Sequence, residues 1–340
     1  MKLLAISAVT LFASVWLNGC GGSLAPQRPS DAIPPLISSR VPAIVHPDRR
    51  QSWIAPDAAP SSQLLFVSDP GTASVDIFSL PDFSLKRKLS NYEGPLGECA
   101  DRNGNIWVAQ YLGSVIEYSH GGKVLNTIVV PRGRPLSCAV SPVNGAIAVV
   151  VSPNDRPGRI LRYSNPSAAP AILRNPVGFG YTAAAYDSNG DLWIDGFDNL
   201  GHALVSRCGA SRCTTVNLTG GSIFSAGSML WDSVHNNWII FDLYCHDTPS
   251  TCSYPVSESG AVGTPTTYMS ASGGALCYLP QAALATNARR TSIIGVDEEY
   301  SCGYEASSAA NRWLYPAGGL PAKSIGNVFV EPYGVAISRR

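Results

Sequence analysis

A pattern of four short apolar segments recurs five times along the chain at a nearly constant spacing. The copies begin at residues 94, 134, 181, 228 and 275, which lie 40, 47, 47 and 47 residues apart. In the first three copies an Asn-Gly turn separates the first two segments, as at Asn103-Gly104 and Asn189-Gly190. This dipeptide between apolar runs is typical of a β-hairpin. A period of about 40 to 50 residues built from such strands is typical of propeller blades.

The two ends of the pattern are complementary. Ser62–Ser68 matches the second segment of a copy and Ser74–Phe78 the third, so the earliest copy lacks its opening strand. Glu331–Ser338 matches an opening strand. A ring closed by pairing this strand with three N-terminal ones explains both observations and protects the sheet edges. We therefore predict an all-β fold over residues 62–340: a six-bladed β-propeller of four-stranded antiparallel blades, with seven blades as the alternative because the fifth copy is the longest.

The first residues have the features of a secretory signal. Lys2 precedes the apolar run Leu3–Leu17, and Leu17-Asn18-Gly19-Cys20 resembles the lipobox of bacterial lipoproteins. An uncleaved membrane anchor is the alternative, but a spanning helix usually needs about 20 apolar residues. We predict a signal peptide at 1–19 and, over 20–61, an acylated Cys20 followed by a Pro/Ser/Ala-rich tether. The predicted location is the cell envelope, lipid-anchored and facing the periplasm or exterior. For a Gram-negative source we expect the outer membrane, because Gly21 stands after Cys20 in place of an aspartate that would retain the protein in the inner membrane.

Eight cysteines remain after Cys20. An even number in an exported chain favours disulfides, although eight cysteines allow about 105 connectivities. The spacing pairs Cys208 with Cys213 and Cys245 with Cys252, and leaves Cys99 with Cys138 and Cys277 with Cys302 as the remaining guesses. A zinc site is the alternative, but no Cys-x-x-Cys motif is present.

Composition limits the partners. The chain has 24 Lys and Arg against 24 Asp and Glu, and it has no basic stripe of the kind that nucleic-acid binding requires. We therefore predict no nucleic-acid partner. The predicted partner is an unknown protein, glycan or small ligand, the membrane is reached through the lipid anchor, and the propeller is predicted to be a monomer.

Short motifs in the repeat resemble those of NHL-repeat-like propellers. They are Pro-x-Gly in the innermost strand, Asp-x-Asn-Gly-Asn/Asp-Ile/Leu-Trp at the first turn (Asp101–Trp107 and Asp187–Trp193), and Val-x-x-Tyr/Phe in the third strand. That group includes the gluconolactonase-like propellers and the streptogramin lyases. The resemblance implies the same architecture and leaves the activity open, because this fold carries lactonases, lyases and interaction modules.

Candidate ligand-binding residues lie where loops enter the innermost strands, at the mouth of the expected channel. They are Glu98, Arg132, Arg134, Tyr181, Glu331 and Tyr333. The equivalent inner positions of the six blades are Glu98, Ser137, Ala183, Met229, Leu276 and Gly334. Only one of these is acidic, so a channel lined by small and apolar side chains is favoured over a calcium site built from several carboxylates.

No catalytic residues and no cofactor are predicted, with Ca²⁺ or Mg²⁺ as the alternative. None of the five histidines lies in a His-x-His or His-x-Glu arrangement, so His120, His202 and His235 are interpreted as solvated turn residues. The leading hypothesis is a membrane-anchored binding module. Its rivals are a divalent-cation-dependent lactonase or lyase and a structural part of an envelope assembly.

Overall fold

The computed structural model describes residues 63–152, 157–242, 245, 251–265, 267–271, 274–275, 279–286, 291–297 and 308–339. The predicted signal peptide, Cys20 and the tether lie outside the described residues, as does the predicted Cys277–Cys302 pair. In the part of the chain that is described, no helix is long and apolar enough to cross a membrane.

The described residues form 25 strands in six sheets. In chain order the strands are β1 (Leu64–Asp69), β2 (Ser74–Ser79), β3 (Leu85–Ser90), β4 (Pro95–Ala100), β5 (Ile106–Gln110), β6 (Ser114–Tyr118), β7 (Val124–Val129), β8 (Arg134–Val140), β9 (Ile147–Ser152), β10 (Arg159–Tyr163), β11 (Ala171–Leu173), β12 (Gly178–Tyr186), β13 (Leu192–Asp198), β14 (Ala203–Cys208), β15 (Cys213–Thr215), β16 (Ala226–Asp232), β17 (Asn237–Asp242), β18 (Thr251–Val256), β19 (Thr267–Ala271), β20 (Gly274–Ala275), β21 (Ala282–Thr286), β22 (Thr291–Asp297), β23 (Ala309–Tyr315), β24 (Lys323–Gly326) and β25 (Gly334–Ser338).

Each sheet is an antiparallel meander, and the predicted six-bladed propeller is confirmed. The sheets run β25-β1-β2-β3, β4 to β7, β8 to β11, β12 to β15, β16 to β20, and β21 to β24, each from its innermost strand outwards. The predicted closure is confirmed as well, because β25 pairs with β1 in a register that sets Leu65 opposite Ile337 and Val67 opposite Val335. This pairing makes one blade from both ends of the propeller sequence.

The predicted start of the fifth copy is wrong by several residues. The copy was expected to open at Ala275, but the innermost strand of that blade is β21, which begins at Ala282. Gly274–Ala275 instead forms a short fifth strand that pairs with β19, with Ser270 opposite Ala275. The preceding blade therefore takes up part of the long segment, and Leu276 lies outside the described residues.

Glycines allow three innermost strands to approach one another closely. A Cβ atom at Gly97 would lie 2.5 Å from the carbonyl oxygen of Leu136, and one at Gly334 would lie 2.0 Å from that of Leu96. Real Cβ atoms do not come this close to backbone, so any larger residue would push β25, β4 and β8 apart.

Three of the four predicted disulfides are confirmed. Cys208–Cys213 joins β14 to β15, and Cys245–Cys252 ties the segment before β18 to that strand. Cys99–Cys138 joins β4 to β8, the innermost strands of neighbouring blades. This last bond therefore links two blades directly beside the central axis.

A buried histidine stands beside the closing strand. The Nδ1 atom of His120 lies 2.6 Å from the Oγ atom of Ser338, and this hydroxyl also donates to the carbonyl oxygen of Gly104. The interpretation of His120 as a solvated turn residue is therefore wrong: although it follows an outer strand, it is covered by the end of β25. His202 and His235 are exposed and lie 3.1 and 2.6 Å from Asp198 and Asp232.

Candidate functional site

A cavity of about 490 Å³ lies on the propeller axis, and all six innermost strands contribute to its wall. We call it the channel cavity. Its lining residues are Glu98–Arg102, Ser137–Val140, Ala183–Tyr186, Ser228–Trp231, Gln281–Leu284, Val335–Ile337 and Arg339. These segments run from the middle of each strand to its carboxyl end. Exposed Arg102 and Arg339 lie at that end, so the cavity opens there. Its volume falls in the range of small-molecule sites.

Bulges at the inner strands bring the lining residues to the axis. The register of the inner strand shifts just before Glu98 in β4, Ser137 in β8, Ala184 in β12 and Met229 in β16. A bulge bends its strand and changes the direction of the following side chains. The strands can therefore curve around an open space instead of filling it.

Small side chains make up much of the cavity wall. Eight of the lining residues are alanines: Ala100, Ala139, Ala183, Ala184, Ala185, Ala282, Ala283 and Ala336. Two half-buried aromatic side chains, Tyr186 and Trp231, stand at its open end. Among the described residues, no three His, Cys, Asp or Glu side chains are grouped so that they could hold a metal ion.

A buried carboxyl group and an amide form the inner end of the cavity. Glu98 is only 1% exposed. The hydroxyl of Ser68 donates to its Oε1 atom at 2.5 Å, and its Oε2 atom has no hydrogen-bond partner among the described residues. Burial raises the pKa of Glu98 to about 8, although the bond from Ser68 acts in the opposite direction. The group is therefore mostly protonated at neutral pH and can donate as well as accept a hydrogen bond.

The side chain of Gln281 joins three blades at this level. Its Oε1 atom accepts from the backbone N–H of Glu98 at 2.8 Å and from that of Val335 at 3.1 Å, and its Nε2 atom donates to the carbonyl oxygen of Glu98. Gln281 therefore holds the backbone around the buried carboxyl group in place.

A second buried carboxylate stabilises a bulge in the wall. Asp195 accepts hydrogen bonds from the hydroxyl of Thr182 at 2.6 Å and from the N–H of Ala183 at 2.8 Å. Burial raises the pKa of Asp195 to about 7 against these bonds. These hydrogen bonds show that Asp195 holds the backbone of β12 in place and does not line the cavity.

The open end of the cavity carries two guanidinium groups. Arg339 donates from Nη2 to the carbonyl oxygen of Leu284, and burial lowers its pKa. The side chain of Arg102 makes no hydrogen bond or ion pair with the described residues and is exposed. The carboxylate of Asp101 is occupied by its own turn, because it accepts from the N–H groups of Asn103 and Asn105, each at 2.8 Å.

Of the six residues predicted for the channel mouth, only Glu98 lines this cavity. Arg132 is exposed in the loop before β8, and Arg134 begins β8 with its guanidinium carbon 4.3 Å from the centre of the Tyr111 ring. Both lie at the amino ends of the innermost strands, which is the opposite end from the cavity opening.

The other three predicted residues are held by local contacts at the same amino end. The hydroxyl of Tyr181 accepts from the N–H of Asn175 at 2.8 Å. The N–H of Glu331 donates to the carboxylate of Asp69 at 3.0 Å, and burial raises the pKa of Glu331. Tyr333 is buried. A role of these residues in ligand binding stays a prediction.

Sequence reasoning missed Arg102, Arg339 and Gln281. The repeat offered a signal for Arg102, which directly follows Asp101 in the first turn of its blade. Gln281 was not recognised as a lining residue, because the misplaced start of the fifth copy assigned it to a turn.

No family model matches the chain, and no curated protein matches it. Several solved structures do. A protein of unknown function from Bacteroides caccae has a TM-score of 0.61 and 14% identity, covering 82% of this chain and 100% of its own. TolB from Acinetobacter baumannii has a TM-score of 0.57 and 11% identity, covering 82% of this chain and 67% of its own.

The Cps50 (Swd1) β-propeller domain of Myceliophteria thermophila is a third match, with a TM-score of 0.52 and 12% identity, covering 80% of this chain and 86% of its own. At these identities the likeness concerns the fold alone, and it supports the propeller architecture.

Proposed function

We propose that this protein is an exported, membrane-anchored binding module that holds its ligand in the channel cavity. The observation that carries the proposal is an open cavity of about 490 Å³ on the axis, to which all six innermost strands contribute and whose opening carries Arg102 and Arg339. A well-formed cavity of this size with a few polar groups is typical of a small-molecule site.

Ligand binding is tested with a plugged variant of the full chain. In Ala283→Phe a large ring would occupy part of the cavity, whereas Ala210→Phe places the same ring on an exposed turn. A diverse library of small molecules is screened by ligand-observed NMR, and circular dichroism confirms that both variants are folded. We expect binders of the wild type and of Ala210→Phe to be lost in Ala283→Phe. The absence of binders, or their equal retention by both variants, would contradict the proposal.

The envelope location rests on the sequence from Lys2 to Cys20. Acylation at Cys20 would supply buried chains at about 0.8 kcal/mol per CH₂, which is enough for stable anchoring without a spanning helix. Cells expressing the wild type or Cys20→Ala are grown with a labelled fatty acid and fractionated. We expect label and membrane association for the wild type only, and equal labelling of both would exclude Cys20 as the anchor.

A further inference from the structure

The charges around the channel cavity are not balanced at its open end. Arg102 and Arg339 both line it there, and the acidic residue that lines the same end among the described residues is Asp101, whose carboxylate accepts from the N–H groups of Asn103 and Asn105. These bonds fix the carboxylate of Asp101 in its turn, where its charge offsets one of the two arginines. Two guanidinium groups against one carboxylate leave the lining of the opening with an excess of positive charge.

The interior of the cavity differs from its opening. Eight alanines line the interior, and the rings of Tyr186 and Trp231 lie near the opening. Among the described residues, the interior carries no charged side chain that is free to pair with a ligand, so the two arginines at the opening are the groups that can select a ligand by its charge.

The carboxyl group at the inner end is enclosed by the protein. The Oε1 atom of Glu98 accepts from Ser68, and its Oε2 atom is buried. Protonation of this carboxyl group at neutral pH, which its raised pKa of about 8 supports, keeps it from repelling an anion in the same cavity.

We propose that the ligand is a small organic anion, whose carboxylate or phosphate group binds Arg102 and Arg339 while its body enters the cavity past the rings of Tyr186 and Trp231. This assignment rests on the proposed binding function and adds the chemical class of the ligand. Guanidinium groups recognise such anions by charge-assisted and often bidentate hydrogen bonds.

The proposal is tested with three probes of equal size: 4-phenylbutyrate, 4-phenylbutanamide and 4-phenylbutylamine. Their dissociation constants for the full chain are measured by isothermal titration calorimetry at low and at high salt. We expect the acid to bind about tenfold more tightly than the amide, the amine to bind least, and only the affinity of the acid to fall with salt.

Arg102→Gln is the variant that tests the site, since Arg102 has no contact whose loss would unfold the chain. It should weaken binding of the acid about tenfold and leave that of the amide unchanged. Arg132→Gln is the matched control, because it removes the same charge at the opposite end of the inner strands, and it should change neither constant.

The outcomes separate the two proposals. Equal or tighter binding of the amide or amine, lost in the plugged variant, would overturn the anionic class and leave the binding function standing. Equal losses of acid affinity in Arg102→Gln and Arg132→Gln would show an effect of net charge and overturn the assignment of the site. If none of the three probes binds, the anionic class of the ligand is overturned. If the library screen finds no binder either, the proposed binding function is overturned as well.

Discussion

Replacing the buried carboxyl group of Glu98 with an amide should change how the stability of the protein depends on pH. Glu98→Gln keeps the shape of the side chain and its acceptor for the hydroxyl of Ser68, but it cannot ionise. The pKa of Glu98 is about 8 in the folded protein and 4.5 in its reference state, because burial penalises the charged form. The variant therefore represents the protonated group at every pH.

The expected magnitude follows from linkage. Between these two pKa values the folded state keeps a proton that the unfolded state has released, so the stability contributed by protonation is complete below about pH 4.5 and declines as the pH rises toward about 8. At about 1.4 kcal/mol per pKa unit, the wild type should lose about 3 kcal/mol relative to Glu98→Gln between about pH 5 and about pH 8.

The assay is urea unfolding of both proteins at a series of pH values, followed by tryptophan fluorescence. Glu258→Gln is the control, because it removes a carboxyl group from an exposed position. Parallel curves for Glu98→Gln and the wild type would refute the reasoning, since they would mean that Glu98 ionises in the folded protein as readily as in the unfolded one.

Three further predictions concern the close approach of the inner strands, the disulfide between two blades and the rival metal-dependent enzyme. Gly334→Ala places a Cβ atom 2.0 Å from the carbonyl oxygen of Leu96 and should lower the free energy of unfolding, measured in urea, by about 1–3 kcal/mol. Gly121→Ala is the control and should change this free energy little, because no atom lies closer than 3.7 Å to the new Cβ atom. Replacing Cys99 and Cys138 together by alanine removes a cross-link over a separation of 39 residues and should cost about 2–4 kcal/mol, and an unchanged denaturation midpoint would show that the blades dock without it. If the protein were instead the rival cation-dependent enzyme, calcium at a hundredfold excess over its dissociation constant would stabilise it by about 2.7 kcal/mol, and a chelator would reverse the rise in melting temperature. We expect no rise, because the proposed binding module needs no metal.

The fold was readable from the sequence because its signals are local. An Asn-Gly dipeptide between apolar runs is typical of a hairpin and marks three of the blades, and the recurrence of the four-segment pattern counts all of them. The one misplaced start, Ala275 instead of Ala282, lies where that dipeptide is missing and the segment is longer. Where the local signal fails, pairing with β19 decides the boundary, and pairing is a tertiary property.

The candidate site was only partly readable. Glu98 was predicted as a ligand-binding residue and does line the channel cavity, but its raised pKa comes from burial by several blades, which its position in the sequence does not reveal. Arg102 and Arg339 are 237 positions apart in the chain and meet the same cavity only because the ring closes. The sequence pattern within one blade could not predict that these two arginines line the same cavity.

By itself, then, the sequence determined the six-bladed architecture, the closure by Glu331–Ser338 and the two disulfides of short spacing, because hairpins, repeats and short cysteine spacings are encoded within a few tens of residues. Only the tertiary structure decided at which end the axis opens, which charges surround the opening and which carboxyl group is buried, because each of these depends on side chains contributed by several blades at once. Strand and turn propensities act along the chain, whereas desolvation and charge act through space.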